Sequence, residues 1–253
     1  MADADLVSQS LIRHVTVSRR GAVLLWAAGF ILLLVMSVLA HGIAQFPGDA
    51  GIVGSLQPLR GTALAKVIDF PSEANQPVPG AVLACAIIVA LVLLRLIIEA
   101  IGTAVATFGT DLVNVVINAL VARPRPHNAH VQTLGGLGGH SFPSGHVAHV
   151  TALFGFLFFL SVLLRRAHPE WRVWVLLFQA ICVYFIALVG IGRVLEGAHQ
   201  PSDVLAGYLV AALTLPLAIM FYYRLERWWQ RHHHEHKTTG FVPASDDAAR
   251  PRG

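Results

Sequence analysis

Six stretches of the chain are apolar over a length that crosses a bilayer, and polar, proline-rich or basic segments separate them. A hydrocarbon core of about 30 Å needs roughly 20 predominantly apolar residues in a helix. The predicted crossings are 22–40, 81–98, 102–122, 144–164, 173–191 and 202–223. The first has an alternative reading as a secretory signal, because Val38 and Ala40 resemble a cleavage site. Its apolar run, however, exceeds the usual signal core of about 7–15 residues. The third carries Thr107, Thr110, Asp111, Asn114 and Asn118. These are costly against lipid and are expected to face other helices or a site. It stops at Arg123-Pro124-Arg125-Pro126, where repeated prolines cannot continue a helix.

The segments between the crossings are equally patterned. Residues 41–78 form a polar interlude with several prolines, within which 56–70 is predicted as a short helix lying on the membrane. Before the first crossing, Leu6, Val7, Leu11 and Val15 fall at roughly helical spacing, which allows a short interfacial helix. A glycine-rich loop leads into Phe142-Pro143-Ser144-Gly145-His146 at the start of the fourth crossing. Pro143 lacks an N–H that a helix start leaves unused. Ser144 is a good N-cap. A helix beginning here turns its free N–H groups towards an anion, with His146 in the first turn. An ordinary capped helix with an incidental histidine accounts for the same residues. The expected organisation is a cytoplasmic segment 1–20, a six-helix membrane domain 21–224 with an external loop at about 41–78, and a disordered cytoplasmic tail 225–253. The fold class is therefore all-α, an integral membrane bundle of six transmembrane helices.

Composition narrows the class further. Only 13% of the residues are charged and 55% are hydrophobic, whereas soluble domains carry about 25% charged residues. That balance excludes a soluble enzyme. Cys85 and Cys182 both lie in apolar runs and read as small membrane residues, not as a disulfide or metal pair. There is no internal repeat and no nucleic-acid signature. Basic residues gather near the N-terminus (Arg13, Arg19, Arg20), in the loop at 165–172, and after 224. With six crossings all three regions lie on one side, which the positive-inside rule makes cytoplasmic. Trp171, Trp174, Tyr222, Tyr223, Trp228 and Trp229 are expected to form an aromatic belt on that side.

The same count places 123–126, 143–146 and 192–203 together on the opposite, external face. Arginines fork onto phosphate oxygens, and Ser144 with the following amides adds donors. His199 and Asp203 are four residues apart, so the carboxylate can orient one ring nitrogen and leave the other for attack. His146 is placed to protonate a leaving oxygen. No carboxylate cluster of the magnesium-holding kind is visible, so the natural chemistry is metal-free phosphoryl transfer through a phosphohistidine, with no cofactor. Plainer readings exist for each residue: headgroup contacts for Arg123 and Arg125, an N-cap for Asp203, an interfacial loop residue for His199, supporting or incidental roles for His140 and His149. The histidines at 232–234 and 236 suit metal or, more simply, a solvated tail.

Taken together, these residues resemble the type-2 phosphatidic acid phosphatase superfamily, which also includes the vanadium haloperoxidases. Its motifs are Lys-x6-Arg-Pro, Pro-Ser-Gly-His and Ser-Arg-x5-His-x3-Asp. Here they read Asn118-x6-Arg125-Pro126, Pro143-Ser144-Gly145-His146, and Gly192-Arg193-x5-His199-x3-Asp203. The resemblance covers about residues 80–220. It implies that His199 is the nucleophile, Asp203 its orienting partner, and His146 the general acid and then the base. It also implies that Arg125, Arg193, Ser144 and the Gly145 amide hold the phosphoryl oxygens. Asn118 stands where the family has lysine, and Gly192 where it has serine; Arg123 and Asn118 are carried as further phosphate contacts, with Arg123 compensating for the missing lysine charge. The implied activity is hydrolysis of a lipid phosphate at the outer face of the plasma (inner) membrane, towards the periplasm or cell exterior. A polyprenyl diphosphate or polyprenyl phosphate carrier is the first expectation, phosphatidylglycerol phosphate or phosphatidic acid the next. A lipid phosphotransferase and a non-catalytic lipid-phosphate-binding protein are the other classes.

Overall fold

The computed structural model describes residues 18–124 and 140–232. Arg125, the glycine-rich loop, the suggested interfacial helix before the first crossing, and the tail after His232 lie outside the described residues. Eight α-helices follow in order among those described: α1 (Arg19–Gly42), α2 (Asp49–Leu56), α3 (Ala63–Ala74), α4 (Pro77–Leu93), α5 (Ile97–Val121), α6 (Gly145–Ala167), α7 (Arg172–Leu195) and α8 (Pro201–His232). Five are long and apolar enough to cross a membrane alone. The pair α3 and α4, bent by 66° at a short break, brings the number to six when counted as one span. The all-α, six-crossing expectation therefore holds.

The centre of the bundle is α6. Of its most apolar stretch 61% is buried, against 11% for the peripheral α1. It packs on α5, α7 and α8, and small residues permit the close approach. Gly207 of α8 is one such case: a Cβ there would stand 2.6 Å from the Ser144 carbonyl and 3.0 Å from Val147 Cβ. Any larger residue would force α8 away from the start of α6. Two hydroxyls of α5 bond back along their own helix, Thr103 to the Glu99 carbonyl and Thr110 to that of Ala106, each at 2.7 Å. Thr110 also meets Thr214 of α8 at 2.7 Å. The polar face of this crossing is thus turned inward, as the cost of exposing it to lipid requires.

Several boundaries differ from the sequence reading. The second crossing begins at Pro77 and ends at Leu93, and α5 starts at Ile97, five residues earlier than expected. The turn between them is made by Arg95 in the left-handed region (φ 62°), with no glycine or proline to mark it. α7 continues to Leu195, so Gly192 and Arg193 are helical and not part of a loop. α8 continues to His232, beyond the expected end near 223, with Glu226 buried. The interlude holds two helices, α2 and α3, where one was expected. The belt also loses a member: Tyr222 is 1% exposed and lies edge-on against Phe156 and Phe159. Trp171, Trp174 and Trp228 stay exposed.

Candidate active site

The chain between α7 and α8 positions the central histidine. Gly197 adopts φ 77°, a conformation open to glycine at little cost, and folds the chain back on the end of α7. The Arg193 carbonyl then accepts the N–H groups of Ala198 (3.1 Å) and His199 (3.3 Å). Pro201 opens α8, the position where its missing N–H does no harm. Asp203, in the first turn, reaches back so that one carboxylate oxygen accepts the Gln200 N–H at 3.0 Å, the reciprocal half of a capping box. That same oxygen faces His199 Nδ1 at 3.7 Å. His199 is 3% exposed and Asp203 is fully buried.

The second motif docks on the third through the backbone. The Ser144 N–H donates to the Asp203 carbonyl at 3.0 Å, which fixes the start of α6 beside the start of α8. Ser144 is the N-cap residue, as expected, but its side chain makes no cap bond; its Oγ is buried with no hydrogen-bond partner. The Phe142–Pro143 peptide is cis. His146 follows in the first turn of α6.

His199 and His146 line one cavity of about 310 Å³. Gly145, Pro143 and His140 share its wall with Asn118, Asn114 and Asp111 of α5, Asn75 between α3 and α4, and His149 one turn beyond His146. A larger groove of about 780 Å³ lies around Trp171 and Trp174. Its lining is almost wholly apolar, which suits hydrocarbon and offers nothing to a phosphate.

Arg193, at the end of α7, is 5% exposed and donates to Ser72 Oγ at 3.2 Å and to the Glu196 carboxylate at 2.6 Å. The position before it explains one departure from the family pattern. A Cβ at Gly192 would meet the Ile68 carbonyl oxygen at 3.1 Å and Ser72 Cβ at 3.2 Å. The α3 backbone lies across this point, so the site where the family has serine is occupied by a packing contact.

The structure places Arg123 and Asn118, the two further phosphate contacts expected from the sequence, differently from each other. Arg123 is not on the cavity wall. It is fully buried behind Asp203, with Nη1 donating to the second Asp203 oxygen and, at 2.9 Å, to Ser202 Oγ, while Nη2 donates to the Ala44 carbonyl at 3.0 Å. Its guanidinium is committed to carboxylate and backbone. Asn118 does reach the cavity, but its amide nitrogen donates to the Phe142 carbonyl at 3.0 Å and, at 3.4 Å, to that of His140. It holds the chain entering α6 and so acts on the position of His146.

The sequence reading missed Asp49. This residue is 3% exposed, and its carboxylate accepts the Ser202 N–H (2.9 Å), the Ser202 hydroxyl (2.7 Å) and the Phe46 N–H (3.0 Å), with Arg123 at 3.6 Å. Nothing around Asp49 in the sequence marks it. The pair His149–Asp111, with Nδ1 to Oδ2 at 2.9 Å, was visible only as two polar residues in apolar runs.

The PAP2 superfamily model matches residues 98–227, more than half of the chain. No curated protein matches. The crystal structure of a transmembrane PAP2-type phosphatidylglycerolphosphate phosphatase from Bacillus subtilis superposes with a TM-score of 0.64 at 22% identity, covering 80% of this chain and 98% of that one. The matched region spans α5 to α8, with the second and third motifs and the shared cavity wall, and on this evidence the chain belongs to the membrane-spanning branch of the PAP2 superfamily.

Proposed function

We propose that this protein hydrolyses the terminal phosphate of a membrane lipid through a phosphohistidine on His199. The observation that carries this reading is the convergence of His199, backed by Asp203, and His146 on one cavity at the end of a six-crossing bundle. With a proton on Nδ1 directed at Asp203, Nε2 of His199 keeps its lone pair for attack on phosphorus. The P–N bond forms as the bond to the lipid oxygen breaks, and His146 gives that oxygen a proton. His146 then takes a proton from water, which attacks the phosphohistidine, releases phosphate and restores His199. Arg125, Arg193, Ser144 and the Gly145 amide are assigned to the phosphoryl oxygens, where charge develops in transfer. The buried, unpartnered Ser144 Oγ supports that assignment.

The reaction is proposed to need no metal, because guanidinium groups supply the positive charge. The site is assigned to the external face and both termini to the cytoplasm, on the arginine distribution. Polyprenyl phosphates and diphosphates, phosphatidylglycerol phosphate and phosphatidic acid all present a terminal phosphate at that surface. Phosphate release by the purified protein from these lipids, with and without EDTA, tests the reading. Release that survives EDTA and disappears in His199→Ala is expected. No release from any lipid would favour a binding protein. Label passing into a second lipid would make the enzyme a phosphotransferase.

A further inference from the structure

The groove around Trp171 and Trp174 lies at the end of the bundle opposite the His199 cavity. The cavity meets α6 at Gly145 and His146, whereas the groove follows that helix from Leu157 to Leu164. This is about 10 Å of helix axis, some two thirds of the roughly 15 Å that one leaflet contributes to a hydrocarbon core of about 30 Å. Leu91 of α4 forms one wall, and Trp174, Val175 and Phe178 of α7 form another. Ser161 and Glu170 are the polar members of the lining among the described residues. Ser161 has no group to spare: its hydroxyl donates to the Phe158 carbonyl at 2.6 Å and accepts from Gln179 Nε2 at 3.0 Å. Gln179 Oε1 accepts in turn from Arg165 Nη1 at 3.4 Å. Glu170 belongs to the loop at the rim, with Oε1 3.0 Å from His168 Nδ1.

The chain around this rim is basic. Arg166 follows Leu164 by two residues, Arg172 stands between the two tryptophans, and Arg95 makes the turn one helical turn beyond Leu91; all three are exposed. None of them forms a salt bridge among the described residues. Trp171 and Trp174 are 49% and 75% exposed, and such rings sit at headgroup level in a bilayer. We propose that the groove binds an anionic phospholipid, with one acyl chain along α6 and the headgroup phosphate at Arg166 and Arg172. The apolar floor takes hydrocarbon without stranding a polar group. A peptide there would leave backbone N–H and C=O groups without partners, because the floor has no donor or acceptor to give. A zwitterionic lipid fills the floor equally well but brings no net charge to the arginines, and each basic residue near a membrane surface strengthens attachment of an anionic lipid. The site is separate from the His199 cavity and does not depend on its chemistry.

The test is lipid retention by the full chain. The protein in detergent is offered phosphatidylserine and phosphatidylcholine in equal amounts, with the same acyl chains, and the bound lipid is counted by native mass spectrometry. Phosphatidylserine is expected to be retained with roughly twentyfold preference, about fivefold for each of the two arginines. Arg166→Ala and Arg172→Ala should each cut the preference about fivefold, whereas Arg166→Lys and Arg172→Lys, which keep the charge, should hold it within about twofold. Leu91→Trp fills the groove and should lose both lipids. The arginine variants change exposed side chains, so they decide the matter should Leu91→Trp misfold. Equal retention of the two lipids by the wild type overturns the site and leaves the groove to ordinary bilayer lipid. A preference unmoved in both arginine-to-alanine variants overturns it as well, and loss of that preference in His199→Ala would place the lipid in the cavity instead.

Discussion

Replacing Arg123 by alanine tests how the site is held together. Arg123 and Asp203 are fully buried and paired, and the Asp49 side chain is only 4% exposed. Removing the guanidinium leaves two buried carboxylates without their cation, and it also strips donors from Ser202 Oγ and the Ala44 carbonyl. Breaking a buried pair from one side costs about 3–5 kcal/mol. In the proposed mechanism Asp203, 3.7 Å from His199 Nδ1, orients that ring, so part of that cost falls on the transition state. If a third of it does, about 1–1.7 kcal/mol, turnover drops roughly 5- to 17-fold, since about 1.4 kcal/mol is a factor of ten. Arg123→Lys keeps the charge but cannot fork to Asp203 and Ala44 together, and is expected to fall between the two. Steady-state phosphate release gives kcat and KM, and denaturant unfolding in detergent gives the stability loss. Wild-type kcat and stability in Arg123→Ala would refute the reasoning. A change confined to KM, with stability intact, would return Arg123 to the phosphate contact expected from the sequence.

Other outcomes follow from the same geometry. His146→Ala is expected to slow hydrolysis mainly for substrates with poor leaving groups, because its proposed task is to protonate the departing oxygen; equal loss on an aryl phosphate with a good leaving group would remove that role. Gly207→Ala places a Cβ 2.6 Å from the Ser144 carbonyl, and overpacking of this kind costs about 1–3 kcal/mol. Its melting temperature and its turnover should fall together, and an unchanged melting temperature would count against the close α6–α8 contact. Cysteines introduced at Gly138 and Arg166 in a cysteine-free background should label from opposite sides of the membrane; labelling from one side would overturn the six-crossing topology.

The crossings were legible because apolar length is a coarse signal that lipid enforces. Their ends were less so. Arg95 turns the chain through its backbone alone, with no glycine or proline to mark the turn. α7 passes through Gly192 because α3 packs on that glycine, a tertiary contact that local propensity does not contain. The aromatic belt was a statement about sequence position, and Tyr222 left it once the Phe156 and Phe159 rings were folded over it. The i, i+4 spacing of His199 and Asp203 carried real information, since a helix start converts it into proximity. Arg123 did not: two arginines alternating with prolines look equivalent in sequence, and only the buried Asp49–Ser202–Asp203 network decides what Arg123 holds. Asn118 likewise gained meaning from the Phe142 carbonyl, 24 residues away in the chain.

The most direct test of the central claim is to catch the covalent intermediate. The purified protein is mixed with a lipid phosphate carrying a labelled terminal phosphate, quenched in alkali within the first turnovers, digested, and the labelled peptide is sequenced by mass spectrometry. A base-stable, acid-labile phosphoryl group on His199 is predicted, absent in His199→Ala and longer-lived in His146→Ala, where the base that activates water is missing. Label on another residue, or full turnover with no label on His199 at any time, would contradict the account.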